Sequence, residues 1–248
     1  MTRIFCIANQ KGGVGKTTTA ITLADGLAKS GARTLLVDFD PQCNATGGLG
    51  FNPIHEHPLV SGEPLAQCVD QTAVQGLDLL AGTRNFSDIE LLSSSEEKII
   101  ARMRNQLSKE IRCYDYVLFD CPPSMGPLTL MALECSTEVF MPIQCEYFAM
   151  EGLTQMIETI GQVMQKQQGK LQFSGILLTM VDYALELTGE VENEVRDFFG
   201  DIVFESVIPR DVTVSEAPSH GLSVVDYAPR SRGARAYIEL CMEVMERV

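Results

Sequence analysis

The sequence predicts an α/β fold: a doubly wound, mainly parallel twisted sheet with helices on both faces. Three observations lead there. Apolar runs of strand length recur along the 248 residues, helical patterns separate them, and the runs are continuous rather than alternating, as strands covered on both faces require. In such sheets ligands bind at the carboxyl ends of the strands. A hydrophobic content of 45% supplies the core of a single domain spanning 1–248, and no repeat, low-complexity tail or linker marks a boundary.

In chain order, Ile4 to Ala8 is the first strand and Lys16 to Lys29 the first helix. Strands follow at Thr34 to Val37 and Leu77 to Leu80, then a helix over Glu96 to Ile111 and a strand over Tyr116 to Phe119. Glu138 to Ile143, a helix over Glu151 to Gln167, and Gly175 to Met180 continue the alternation. A helix at Glu190 to Phe199, a strand at Ile202 to Ile208 and a last helix at Arg232 to Glu246 complete it. "FNPIHEHPLVSGEP", Phe51 to Pro64, is rich in Pro and Gly and fits neither period, so it is expected to be a solvated surface loop. His55 and His57 lie in it without a third ligand nearby, which argues against a metal site.

A formal net charge of −14 makes the surface as a whole repel nucleic acid and anionic membrane; such binding needs a local basic patch, whereas a basic protein partner is easily attracted. Eight cysteines are scattered without a C-x-x-C pair, several inside apolar runs such as "IFCIAN", and are expected to be buried and reduced. No run reaches the ~18 apolar residues of a membrane span. Met1 to Arg3 leads directly into the first strand without a signal peptide, so a cytoplasmic location is expected.

The chemistry is concentrated in "NQKGGVGKTTTA", Asn9 to Ala20, between the first strand and the first helix. Backbone N–H groups of Gly12, Gly13, Val14 and Gly15 can turn toward phosphate oxygens, and the helix N-terminus adds its positive dipole end. Lys16 is placed to reach β and γ phosphates, the Thr17 hydroxyl to ligate Mg²⁺, and Thr18 stands beside them. The usual G-x-x-x-x-G-K-[ST] pattern would put glycine where this chain has Gln10, so the loop is the variant K-G-G-x-G-K-T with a second lysine, Lys11. A P-loop NTPase fold follows from strand, spacing and Lys-Thr together. Asp38, Asp40 and Asp120 end strands on the same ligand face, where an aspartate can serve a metal or cap the next helix. No N-K-x-D guanine-reading motif is present.

"KGGVGKTT", "LLVDFDPQCNAT", "YDYVLFDCPPS", "PIQCEYFAMEGL" and "VIPRDVTVSEAPSHG", in this order, resemble the ParA/Soj branch of the ParA/MinD ATPases nearly end to end. The resemblance implies slow ATP hydrolysis with Mg²⁺, in a homodimer that sandwiches ATP. Lys16 would serve its own nucleotide while Lys11 crosses to the phosphates of the partner subunit. Asp40 matches the aspartate that positions the attacking water and the Mg²⁺ shell, and Asp120 the Walker B aspartate, with Asp38 the more structural of the three. The base would lie near "IPRDV", where Pro209 carries over and Asp211 replaces a common asparagine. Relatives hydrolyse slowly until the basic N-terminal segment of a ParB-like partner docks.

Family members bind DNA without sequence preference, which would add nucleoid association. This chain departs at Ala184 and Thr213, where the family often has arginine; Arg210, Arg230, Arg232, Arg235, Lys166 and Lys170 remain. Solvated arginines at a helix start are the alternative reading of this patch. The function implied is a switch that partitions a chromosome, plasmid or other cargo by cycling between DNA-bound ATP dimer and free monomer. Alternatives are the same switch carrying a protein cargo with little DNA binding, a MinD-like membrane switch, and a metal-cluster reductase using Cys121 and Cys135. The acidic ending "YIELCMEVMERV" argues against a membrane helix. No N-terminal DNA-reading module is expected before Ile4.

Overall fold

The computed structural model describes residues 2–90, 97–145, 149–167 and 170–247. Eight strands form one sheet: β1 (Arg3–Ile7), β2 (Thr34–Asp38), β3 (Asp70–Gln71), β4 (Leu77–Leu80), β5 (Tyr116–Asp120), β6 (Glu138–Gln144), β7 (Gln172–Val181) and β8 (Val203–Pro209). Their spatial order is β3-β4-β2-β5-β1-β6-β7-β8, parallel throughout except for the two-residue β3, which runs antiparallel to β4. β3 has no apolar run of its own to betray it.

The helices are α1 (Lys16–Lys29), α2 (Asn44–Gly48), α3 (Pro58–Ser61), α4 (Phe86–Glu90), α5 (Glu97–Glu110), α6 (Pro127–Cys135), α7 (Ala149–Lys166), α8 (Glu186–Phe199), α9 (Val212–Glu216), α10 (Val224–Tyr227) and α11 (Arg232–Glu246). The expected start of α5 at Glu96 lies outside the described residues, as do Glu146, Tyr147 and Phe148 of "PIQCEYFAMEGL". α8 begins at Glu186, one turn before the expected Glu190.

Two apolar cores, one on each face, explain the unbroken strand hydrophobicity. In β1, Cys6 packs with Phe119, Met131 and Met156, while its neighbours Phe5 and Ile7 point the other way, toward Leu23, Leu27 and Leu240. Alternate side chains of one strand therefore fill opposite layers, both dry. α1 and α11 cover one layer, and α5, α6 and α7 the other. The final helix buries Tyr237, Leu240, Cys241 and Val244, and among the described residues no helix is long and apolar enough to cross a membrane.

Two sequence expectations need correction. Only part of the 51–64 segment is a solvated loop: His57, Pro58 and Leu59 are buried, and the His57 ring packs on Phe86 at 4.6 Å. His57 is the N-cap of α3, its Nδ1 accepting from Leu59 N–H, with Pro58 at the first helical position. Of the eight cysteines, Cys113 is exposed and Cys68 half-buried, each at the end of a single 3₁₀ turn; the other six are buried, and all eight are free thiols.

Candidate functional site

The sheet order places the chemistry. β5 and β2 lie on one side of β1, and β6, β7 and β8 on the other, so the loops after β1, β2, β5, β7 and β8 share one rim. Ile7 pairs with Asp120 and Asp120 with Asp38, bringing the phosphate-loop candidate against both strand-end aspartates.

The loop after β1 is shaped by left-handed backbone. Gly13 has φ +76° and Gly15 φ +88°, values that L side chains adopt only with strain, so glycine is required there by conformation. Asn9 braces the loop on both sides: its Nδ2 donates to Pro142 O at 2.7 Å and its Oδ1 accepts from Lys11 N–H at 2.9 Å. α1 then starts at Lys16 with no side chain capping it and no acid in its first turn, leaving its positive end open.

Lys16 is buried, and its Nζ donates to the Lys11 carbonyl at 3.1 Å, curling back over the loop. Burial lowers its pKa, opposed by the negative charges of Asp120 and Asp40. Lys11, by contrast, is an exposed residue at the loop's outer edge.

Three carboxylates meet here in three different states. Asp38 Oδ1 accepts from Asp40 N–H, while its Oδ2 accepts from both the N–H and the hydroxyl of Thr46, at 2.8 and 2.7 Å. Asp40 Oδ1 accepts from Gln42 N–H at 2.8 Å and its side chain lines the cleft. Asp120 is wholly buried, and among the described residues none donates a well-formed hydrogen bond to either oxygen. Burial raises its pKa well above the ordinary carboxylate range and Asp38 adds repulsion; the nearby Thr17 hydroxyl and Lys16 ammonium pull the other way without closing a bond. A buried, unpartnered carboxylate is costly unless a cation comes to it.

Two cavities open on the rim. A cleft of about 410 Å³ is lined by Gly12, Gly13, Lys16, Thr17, Thr18 and Asp40 among others. Beside it, a slot of about 80 Å³ is lined by Ile208, Pro209, Arg210, Asp211, Val214 and Tyr237 among others. Asp211 borders the slot but is engaged: Oδ1 accepts from Thr213 N–H and hydroxyl, Oδ2 from Gly233 N–H at 3.0 Å. Burial works against its charge, but these bonds outweigh it and hold the pKa below the ordinary value. Its carboxylate therefore caps α9 and ties it to α11 rather than standing free toward a ligand.

The basic residues divide. Arg210, Arg230, Arg232 and Arg235 are all exposed near the same rim, and Arg232 Nη2 donates to the Arg210 carbonyl at 3.4 Å. Lys166 and Lys170 precede β7 and so sit at the amino end of the sheet, away from the arginines. The two lysines therefore stand apart from the four arginines of the candidate DNA face, because parallel strands separate residues that precede one from residues that follow its neighbour.

Cys121 is fully buried with its Sγ 3.4 Å from that of Cys6, and no cluster of three or more metal-ligating side chains forms among the described residues. Sequence reasoning also missed Tyr237, whose hydroxyl lies 3.1 Å from Thr19 Oγ1 and fixes the back of α1; no local pattern pairs residues so far apart in the chain. The arrangement can seat a phosphate chain on the loop and the helix end, with a divalent cation before the carboxylates.

Comparison with known proteins agrees in direction. A protein family described as an AAA domain matches residues 2–173. The sporulation initiation inhibitor protein Soj of Bacillus subtilis (strain 168) is 43% identical over 251 residues, covering 98% of each chain. Among solved structures, cobyrinic acid a,c-diamide synthase from Mycobacterium smegmatis with bound ADP and magnesium is similar at TM-score 0.81 and 32% identity, over 98% of this chain and 93% of that one. The septum site-determining protein MinD of Pyrococcus horikoshii OT3, complexed with Mg-ADP, gives TM-score 0.77 and 27% identity over 99% and 97%. With its variant lysine-bearing loop, its strand-end aspartates and this near full-length similarity, the chain belongs to the ParA/Soj branch of the ParA/MinD ATPase family.

Proposed function

We propose that this protein is a Mg²⁺-dependent partition ATPase that dimerises around ATP. The observation that carries the proposal is Asp120: a fully buried carboxylate with no donor among the described residues, beside a phosphate loop whose helix end is uncapped. Mg²⁺ keeps several waters and takes few protein ligands, so it fits a site that offers Thr17, Asp120 and Asp40 rather than a closed cage. When bound with ATP it supplies charge neutralisation at the phosphates.

The chain's own residues then divide the work. Backbone N–H groups of Gly12, Gly13, Val14 and Gly15 cradle phosphate oxygens, and Lys16, already turned over the loop, neutralises the β and γ phosphates. Thr18 and Pro209 border the nucleotide, and Asp40 orients the attacking water. Lys11, exposed at the edge, reaches the ATP of a second subunit, so that two chains enclose two nucleotides and exclude water. Among the described residues no arginine lines the phosphate cleft, which supports slow intrinsic turnover and stimulation by a basic partner of the ParB kind.

The chromosome partitioning proteins ParA of Myxococcus xanthus and Caulobacter vibrioides, each 43% identical to this chain, support chromosome or plasmid partition as the role. Arg210, Arg230, Arg232 and Arg235 form the proposed DNA face, doubled on dimerisation, in a single-domain cytoplasmic protein that is nucleoid-associated when ATP-bound.

Sedimentation with magnesium and a non-hydrolysable ATP analogue tests the core of this reading. The wild type should sediment as a dimer. Lys11→Ala should bind nucleotide normally and remain monomeric, and a monomeric wild type at saturating nucleotide would refute the proposal. DNA retention with ATP, ADP or no nucleotide, at two salt concentrations, tests the arginine face: reversing Arg230, Arg232 and Arg235 should flatten the salt dependence.

A further inference from the structure

The turn that carries Asp40 is strained in a way no sequence pattern demands. Cys43, at the N-cap of α2, has φ +55°, a left-handed conformation that glycine adopts freely and other residues adopt only when their surroundings hold them. Its neighbours Gln42 and Asn44 both line the phosphate cleft. The backbone here is tied in series. The Asp40 carbonyl accepts from Cys43 N–H at 2.8 Å, the Cys43 carbonyl from Gly47 N–H at 3.0 Å, and the Gly47 carbonyl from Gly50 N–H at 2.9 Å. These bonds join Asp40 to Gly50, so a displacement at one end is felt at the other. Strain of this kind persists only where the surroundings over-determine it, and it gathers at functional sites.

A contact between two backbones holds the far end. Gly50, with φ +81°, lies against Gly221, with φ +70°. A Cβ on Gly221 would lie 3.1 Å from Gly50 Cα and 3.2 Å from Gly50 N, too close for backbone atoms that cannot swing aside. A Cβ on Gly50 would lie 3.6 Å from Gly221 Cα, an ordinary contact. Gly221 is itself anchored. Its N–H donates to the Pro218 carbonyl at 3.1 Å, and two residues on, the Ser223 hydroxyl donates to buried Asp25 of α1, which also accepts from Lys29 Nζ at 2.6 Å. Because α1 begins at the phosphate loop, Gly221 is fixed relative to that loop, and Gly50 relative to Gly221.

We propose that Gly221 is a positioning residue for hydrolysis: through its backbone contact with Gly50 it sets where the Asp40 turn stands against the phosphate loop. The proposal rests on Asp40 orienting the attacking water, as proposed above. Nucleotide binding draws on the phosphate loop and Lys16, which this contact does not touch. Shifting the Asp40 turn by a few tenths of an ångström should therefore cost turnover rather than affinity.

Three variants of the full chain test it: Gly221→Asn, Gly221→Ala and Gly62→Ala. Asparagine tolerates left-handed backbone better than alanine, so Gly221→Asn introduces the clash with less conformational strain and decides the matter if Gly221→Ala misfolds. Gly62 has φ +87° and nothing within 4 Å of a Cβ, so Gly62→Ala brings strain alone. At saturating magnesium and ATP, Gly221→Asn should lower kcat by about tenfold, with ADP affinity by calorimetry within about twofold of wild type. Gly221→Ala should match it in kcat with a larger drop in melting temperature. In nucleotide-free Gly221→Asn, hydrogen exchange at the amides of Cys43, Gly47 and Gly50 should quicken by about tenfold. Gly62→Ala should lower the melting temperature yet leave kcat and those amides unchanged. Wild-type kcat or wild-type exchange in Gly221→Asn overturns the proposal. So does an equal loss of kcat in Gly62→Ala, which would assign the effect to general destabilisation, or a tenfold loss of ADP affinity in Gly221→Asn, which would move it to the phosphate loop. Undiminished turnover in Asp40→Ala overturns the reading of Asp40 itself, and the proposal with it, while leaving the exchange result standing.

Discussion

Asp38 and Asp120 are partners in register on adjacent strands, both fully buried, yet they occupy opposite chemical situations. Around Asp38, Asp40 and Thr46 supply three donors to one carboxylate. Around Asp120 no donor among the described residues closes a bond, and the nearest influences are a hydroxyl and a partly desolvated ammonium. Burial raises the pKa of both, but only Asp38 has well-formed hydrogen bonds to offset it. Equal burial therefore does not mean equal role. A saturated carboxylate stiffens the turn that carries Asp40, whereas an unsaturated one keeps its oxygens open for an incoming cation, whose charge would favour the ionised form.

The contrast can be broken by substitution. The largest effect is expected from removing the ammonium that faces Asp120: Lys16→Ala should weaken ATP binding by at least about a hundredfold, measured by calorimetry, because the phosphates lose their buried countercharge. Retained affinity would mean that Asp120 and Lys16 do not form one electrostatic unit with nucleotide. Next, Asp120→Asn should lower magnesium-dependent hydrolysis on the order of a hundredfold while raising the melting temperature of the nucleotide-free protein by a few degrees, about 1 kcal/mol, since the penalty of keeping an ionisable group buried without donors disappears. The same change at the neighbouring position should have the opposite sign. Asp38→Asn should lower the melting temperature by about 5 °C, or about 2 kcal/mol, because an amide cannot accept on both sides. If both variants shift stability in the same direction, the distinction drawn between the two strand ends is wrong.

A pH-dependent effect extends the contrast to a buried base. Burial pushes the pKa of His57 down to about 3 from 6.5, and its Nε2 has no hydrogen-bond partner among the described residues. Between those values the unfolded chain binds a proton that the folded chain refuses, so stability should fall as pH drops from about 6.5 toward 3, by at most about 1.4 kcal/mol per unit. His57→Asn retains a helix-capping side chain and should flatten that slope in urea unfolding measured across this range; an unchanged slope would show that other groups govern acid sensitivity.

Much of the site is legible in linear sequence because its parts are local. Glycines at 13 and 15, a lysine and a threonine opening a helix, and aspartates ending apolar runs are each recognisable within a few residues. The left-handed backbone at Gly13 and Gly15 supplies the conformational reason for two of those glycines. What is not legible depends on distant groups. His57 has the sequence surroundings of a loop residue, but Phe86 packs on it; Asp211 has those of a free acid beside a base, but Gly233, 22 residues later, donates to it. The separation of Lys166 and Lys170 from the arginines likewise follows from strand direction, which no residue near them announces.

By itself the sequence determined the parallel α/β class, the phosphate loop and the acidic strand ends, because apolar period, glycine and charge act over short distances. Tertiary structure alone decided which buried carboxylate is satisfied, which basic residues share a face and why His57 is buried. Those outcomes depend on donors, anchors and strand registers contributed by segments far apart in the chain, and no local pattern encodes them.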